Sequence, residues 1–168
     1  MKNIILIGMP GCGKSTLGKK LAAQLGRKFY DADEVLEARE GRTIKSFFAE
    51  SEAAFREAET RTLKFLSESL EGAVLATGGG AVKRSINMET LGRNGTIIFI
   101  DRSPEKILIS LEGDARPLLA KDKEKIFTLY NERIALYKKY GEQVVDNNLS
   151  EAETLAALTE IARKMGDG

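Results

Sequence analysis

Apolar residues along the chain fall into two rhythms. Five short runs, at residues 2–7, 28–31, 73–77, 96–101 and 143–146, are near-continuous, several of them rich in β-branched side chains. Runs of this kind suit strands buried on both faces, as in a parallel sheet. Between them apolar residues recur every three or four positions: Leu17, Leu21, Ala22 and Leu25; Leu63, Leu66 and Leu70; Ile126, Leu129, Tyr130, Ile134 and Tyr137; Leu155, Leu158 and Ile161. That spacing puts each set on one face of a helix. Helices are predicted over residues 16–25, 44–48, 51–70, 85–91, 126–140 and 151–165, with Gly26 closing the first and Thr43 and Ser51 capping the second and third. A further helix opens at Ser103, with Pro104 in its first position. Five strands alternating with helices predict an α/β fold, a five-stranded parallel sheet flanked by helices. The chain reads as one domain with a core at 1–31, 61–111 and 125–168. Segments 32–60 and 112–124 read as insertions that serve a site.

The chemistry gathers where strands end. After the first strand comes Gly8-Met9-Pro10-Gly11-Cys12-Gly13-Lys14-Ser15-Thr16, which fits the phosphate-loop pattern G-x-x-x-x-G-K-[ST]. Its glycines let backbone N–H groups turn inward, and the following helix adds partial positive charge at the same spot. Gly11, Cys12, Gly13, Lys14, Ser15 and Thr16 are therefore the candidate nucleotide-binding residues. Lys14 would reach the outer phosphates, and Ser15 would offer a hydroxyl to Mg²⁺. The second strand ends in Asp31-Ala32-Asp33. A carboxylate there can hold Mg²⁺ or accept a proton from a substrate hydroxyl, or Asp33 can cap the helix that follows.

Three more stretches are ambiguous on their own. Arg56 and Glu59 lie on one helical face at i,i+3, as an exposed ion pair or as part of a site. Gly78, Gly79 and Gly80 follow the third strand and allow a ligand close to the backbone, or simply form a turn. Asp101 ends the fourth strand, either as a Mg²⁺ ligand or as a strand terminus. The stretch from Glu112 to Lys125, which contains Arg116, suits a mobile flap or a solvated loop. Arg133 stands beside the packing face of its helix.

Composition narrows the chemistry. The 168 residues hold 26 basic and 25 acidic side chains, so charge gives no signature of a nucleic-acid partner. No histidine is present and there is one cysteine, Cys12. Histidine catalysis, a Cys/His zinc site and an internal disulfide are thereby excluded, and acid–base work falls to Asp, Glu, Lys, Tyr or Cys12. No apolar stretch is long enough to span a membrane, and the short run after Lys2 enters the phosphate loop directly rather than forming a signal peptide. The expectation is a cytoplasmic enzyme without a membrane partner. A guanine-selecting N-K-x-D motif is absent, which disfavours a GTPase switch.

In order, the phosphate loop, Asp31-Ala32-Asp33, Phe55-Arg56-Glu57-Ala58-Glu59, Thr77-Gly78-Gly79-Gly80, Arg116-Pro117-Leu118-Leu119 and Arg133-Ile134-Ala135-Leu136-Tyr137 resemble the shikimate kinase family, of nucleoside-monophosphate-kinase-like P-loop fold. The resemblance covers almost the whole chain. It implies ATP-dependent phosphorylation of the 3-hydroxyl of shikimate in aromatic amino-acid biosynthesis, using Mg²⁺; a monomer is the expected state. It assigns Lys14, Asp33 and Arg116 to catalysis, with Arg116 also at the nucleotide, and Ser15 and Asp31 to the metal. Asp33, Arg56, Glu59, Gly78, Gly79, Gly80 and Arg133 fall to the acceptor, the two arginines gripping its carboxylate. In this family the triple-glycine strand takes the place of the acidic strand, so Asp101 is a strand terminus. Members often carry two further arginines near the adenine. Here those regions read Leu111-Glu112-Gly113-Asp114 and Asn147-Asn148-Leu149-Ser150. A gluconate-type kinase of the same fold and a non-catalytic nucleotide-binding module are the alternatives.

Overall fold

The structure, a computed structural model, describes residues 1–112 and 120–166. Five parallel strands form one sheet: β1 (Asn3–Ile7), β2 (Phe29–Asp31), β3 (Val74–Ala76), β4 (Gly95–Asp101) and β5 (Gln143–Asp146), in the order β2-β3-β1-β4-β5. Ile5 pairs with Leu75 on one side and Ile97 on the other. β1 is buried along its whole length, as its unbroken apolar run requires. The chain leaves β1 toward one edge of the sheet and leaves β3 toward the other. The crevice between their C-terminal ends is where open α/β sheets take ligands. The phosphate loop follows β1 and the triple glycine follows β3, so both open onto this crevice.

Eight α-helices are described: α1 (Lys14–Leu25), α2 (Ala32–Glu40), α3 (Ile44–Glu50), α4 (Glu52–Ser69), α5 (Ser85–Arg93), α6 (Pro104–Glu112), α7 (Ala120–Tyr140) and α8 (Glu151–Gly166). The expected caps are present. Thr43 Oγ1 accepts from Ser46 N at 3.1 Å, Ser51 Oγ from Ala54 N at 3.0 Å, and Ser103 Oγ from Lys106 N at 3.3 Å. Gly26 closes α1 at φ 65°. The main core packs α1, α4, α5, α7 and α8 onto the sheet, while Leu36, Phe47, Phe55 and Ala58 form a smaller cluster among α2, α3 and α4. That cluster steadies the arm of chain between β2 and β3. No helix among the described residues is long and apolar enough to cross a membrane.

Two helices begin earlier than their apolar rhythm indicates. α7 starts at Ala120, six residues before Ile126. Residues 122–125 are charged and exposed, so the first turns show no apolar face, although Lys and Glu are good helix formers. α1 starts at Lys14, inside the phosphate loop.

Candidate active site

The loop after β1 is built to leave backbone donors free. Gly13 is the N-cap of α1 at φ 101°, a left-handed conformation that disfavours other residues, and it offers no side chain to cap the helix. The first amides of α1 therefore face the crevice as an anion site. The Lys14 ammonium is buried and donates to Gly8 O at 2.7 Å and Met9 O at 2.9 Å. The Cys12 side chain is fully buried, so Cys12 can meet a ligand only through its backbone. Gly11 and Thr16 are exposed on either side of it.

Asp31 resolves the first ambiguity. Its Oδ1 accepts from Asp33 N at 2.9 Å and Glu34 N at 3.3 Å, so Asp31, not Asp33, caps α2. Its Oδ2 accepts from Ser15 Oγ at 2.7 Å. A hydroxyl and a carboxylate side by side at the start of α1 are hard oxygen donors that suit Mg²⁺, which takes few protein ligands and completes its shell with water and phosphate. No cluster of three or more His, Cys, Asp or Glu able to hold a metal exists among the described residues.

With Asp31 engaged, Asp33 is freed to face a cleft of about 410 Å³ beside the phosphate loop. Arg56, Glu59, Gly78, Gly79, Gly80 and Arg133 line the same cleft, with Phe48 and Phe55 as its apolar wall. Burial and the neighbouring Asp31 push the Asp33 carboxyl up from its ordinary value, against the opposing pull of Lys14 and Arg56. A carboxylate so raised is a stronger proton acceptor.

Arg56 and Glu59 are not an exposed pair. They are 8% and 3% exposed, and Arg56 Nη1 donates to Glu59 Oε1 at 2.9 Å. Arg56 also stacks over the Phe55 ring at 5.0 Å. Burial raises the Glu59 carboxyl even with Arg56 beside it. Arg133, 9% exposed, enters the cleft from α7. Each glycine of the triplet has its own close neighbour. A Cβ on Gly78 would meet Asp33 Oδ1 at 3.0 Å, one on Gly79 the Pro10 ring at 2.6 Å, and one on Gly80 the Arg56 guanidinium. The triplet is the surface that lets a carboxylate, the phosphate loop and a guanidinium converge.

Several contributors carried little signal in the sequence. Tyr137 is fully buried and donates from its hydroxyl to Gly79 O at 2.6 Å, tying α7 to the glycine floor. Burial lifts its pKa to about 12, so it remains a donor. It stands four residues after Arg133, on the same helical face. Glu52 accepts from Lys83 Nζ at 2.5 Å and lies 3.5 Å from Arg56 Nε. Asp101 accepts from Tyr130 Oη at 3.1 Å and stays outside the cleft. Arg116 lies outside the described residues. A larger groove of about 610 Å³ runs between α1 and α8 but contains none of these groups.

The chain is similar to known proteins over nearly its whole length. The sequence model of the shikimate kinase family matches residues 10–165. A shikimate kinase of Clostridium botulinum (strain Eklund 17B / Type B) is 45% identical over 162 residues, covering 96% of this chain and 98% of the relative. The crystallised shikimate kinase from Acinetobacter baumannii in complex with shikimate superposes with a TM-score of 0.82 at 34% identity, covering 98% of this chain and 90% of its own. The shikimate kinase from Aquifex aeolicus gives 0.81 at 34% identity, with 98% of both chains covered. The order of motifs in the sequence, the five-stranded parallel sheet and these likenesses across nearly the full length lead to one assignment: the chain belongs to the shikimate kinase family.

Proposed function

We propose that the protein transfers the γ-phosphoryl group of ATP to the 3-hydroxyl of shikimate, giving shikimate 3-phosphate and ADP. The observation that carries this reading is the cleft in which two buried arginines, Arg56 and Arg133, share space with a raised carboxyl, Asp33, beside the phosphate loop. Guanidinium groups bind a planar carboxylate bidentately. The glycine floor can admit ring hydroxyls close to backbone. Asp33 takes the proton of the 3-hydroxyl as the new O–P bond forms and the bond to ADP breaks. Glu59 holds Arg56 in its bound orientation.

On the donor side the loop amides from Gly11 to Thr16 and the Lys14 ammonium neutralise phosphate oxygens. Ser15 and Asp31 would hold Mg²⁺, which supplies charge neutralisation at the phosphates when bound. Arg116 is assigned by resemblance to the transferring phosphoryl group, within a lid spanning about residues 112–124, and segment 32–60 acts as the substrate-binding arm. A closed lid would exclude water and so limit ATP hydrolysis. We place the protein in the cytoplasm as a monomer.

The test is ADP release from purified protein offered ATP and Mg²⁺ with shikimate, gluconate or AMP. Turnover with shikimate alone is expected. Turnover with gluconate or AMP but not shikimate overturns the reading, and nucleotide binding without turnover of any acceptor identifies a binding module.

A further inference from the structure

We infer that Asn147 is a positioning residue for the phosphate loop, and that its side-chain amide sets the direction of the Gly13 N–H. The inference rests on the reading of Gly8 to Thr16 as a nucleotide site. Asn147 Nδ2 donates to Cys12 O at 2.7 Å, across 135 positions of sequence. In a trans peptide the C=O and the following N–H point in opposite directions. Drawing the Cys12 carbonyl toward the end of β5 therefore turns the Gly13 N–H the other way, away from Asn147.

The loop does not fix this peptide by itself. Gly11 and Gly13 sit at φ 79° and 101°, and a peptide flanked by glycine rotates at little steric cost. Of the other loop carbonyls, Gly8 O and Met9 O accept from Lys14, Met9 O also from Cys12 N, and Gly13 O from Leu17 N, and none of these bonds holds the Cys12 carbonyl itself. The Cys12–Gly13 peptide needs a tether from outside, and Asn147 supplies it.

The tether is itself held at two points. Thr154 Oγ1 donates to Asn147 Oδ1 at 2.8 Å, which orients the amide with its nitrogen toward Cys12. A flipped amide would set two carbonyl oxygens against each other. Asn147 N donates to Asp101 O at 2.7 Å, fixing the backbone to β4. Asn147 Nδ2 also stands 2.8 Å from where a Cβ on Gly13 would be. Thr154 is fully buried and Asn147 is 9% exposed, so water competes little for these bonds. Residues 147–150 hold no arginine, and the first of them serves the loop.

Two variants test this, beside a neutral control. Asn147→Asp keeps the volume and the acceptor for Thr154 and removes the donor to Cys12 but adds a negative charge, so the uncharged Asn147→Leu, which also lacks the donor, must weaken ADP in the same direction. Thr154→Val keeps the helix packing but frees the amide to turn. ADP affinity by calorimetry, the separate KM values for ATP and shikimate, the melting temperature, and the response of the ¹⁵N-labelled Gly13 amide to ADP are measured. Asn147→Asp is expected to weaken ADP and raise the ATP KM by about tenfold, the scale of one lost buried hydrogen bond. The shikimate KM should change less than about twofold on the same scale, and the Gly13 resonance should lose its wild-type response. Thr154→Val should move ADP affinity in the same direction by a smaller factor. Unchanged ADP affinity in a folded variant overturns the inference, as does equal weakening of ADP and shikimate, the mark of a merely structural role. If Asn147→Asp does not fold, Thr154→Val decides alone. Wild-type protein that fails to bind ADP would instead refute the nucleotide reading itself, so the two failures are distinguishable.

Discussion

Replacing Asp33 by Asn should slow the enzyme and stabilise it at the same time. The substitution keeps the shape and removes only the charge and the basic oxygen. As general base in the proposed transfer, Asp33 contributes about 10²–10⁴ in rate, or about 3–5 kcal/mol of barrier at 1.36 kcal/mol per tenfold. The loss should fall on kcat, with the ATP KM within about twofold, because Asp33 faces the acceptor cleft and not the phosphate loop amides. The stability effect follows from the raised carboxyl. A carboxyl whose pKa is higher folded than unfolded binds its proton more tightly in the native state. Its effect on stability is harmless below the unfolded pKa and becomes unfavourable as pH rises through the folded one. At pH 7.5 wild type carries that cost and Asp33→Asn does not, so the variant should melt higher, by about 2–4 °C for each kcal/mol relieved. The advantage should shrink as pH falls toward the carboxylate range. Steady-state kinetics and thermal melts at pH 7.5 and 5 measure both effects. Turnover within threefold of wild type sinks the catalytic role, and an unchanged melt at pH 7.5 sinks the electrostatic argument.

Arg56→Ala and Arg133→Ala should each raise the shikimate KM at least tenfold, the scale of a charge-assisted hydrogen bond of about 1.5–3 kcal/mol, with the ATP KM little changed in initial-rate assays. Arg56→Ala also strips Glu59 of its buried partner, so denaturant melts at pH 7.5 should show a loss of up to about 3 kcal/mol, easing at lower pH as Glu59 takes a proton. Tyr137→Phe removes the hydroxyl that holds Gly79 O and should cost about 1 kcal/mol of stability, together with a higher shikimate KM, read from a melt and a saturation curve. Chelation of divalent cations by EDTA should abolish turnover and added Mg²⁺ restore it, while Ser15→Ala should raise the Mg²⁺ concentration needed for half-maximal rate.

The strands, the helix caps and the order of motifs were legible in the sequence because each rests on local chemistry. An unbroken apolar run makes a buried strand wherever it sits, and Thr43, Ser51 and Ser103 cap from their own positions. The start of α7 was not legible, since the charged and exposed residues 122–125 mark no periodic apolar face. The assignment of Asp31 and Asp33 was open for a different reason. Both are good N-caps, and only the three-residue length of β2 puts the helix start one residue after Asp31. The bonds of Asn147, Glu52 and the Tyr137 hydroxyl were not legible because their partners, at Cys12, Lys83 and Gly79, are brought near only by the finished fold.

The fold also explains how so many charges can share one small cleft. Among the described residues Arg56, Arg133, Lys83 and Lys125 face Asp33, Glu52 and Glu59 around it. The pairing inside the cleft is uneven. Glu59 engages Arg56 from the helix they share and Glu52 engages Lys83 at the rim, so among the cleft's carboxylates Asp33 alone accepts no hydrogen bond among the described residues. A carboxylate left without donors in a half-buried site is costly to keep ionised, and that cost is what would suit it to act as the proposed base. The same neighbours that weaken Asp33 as an ion, Asp31 on one side and the close-packed glycine floor on the other, are held by the cap of α2 and by Tyr137. The reactivity of the proposed base is therefore set by how β2 and β3 end, before any substrate arrives.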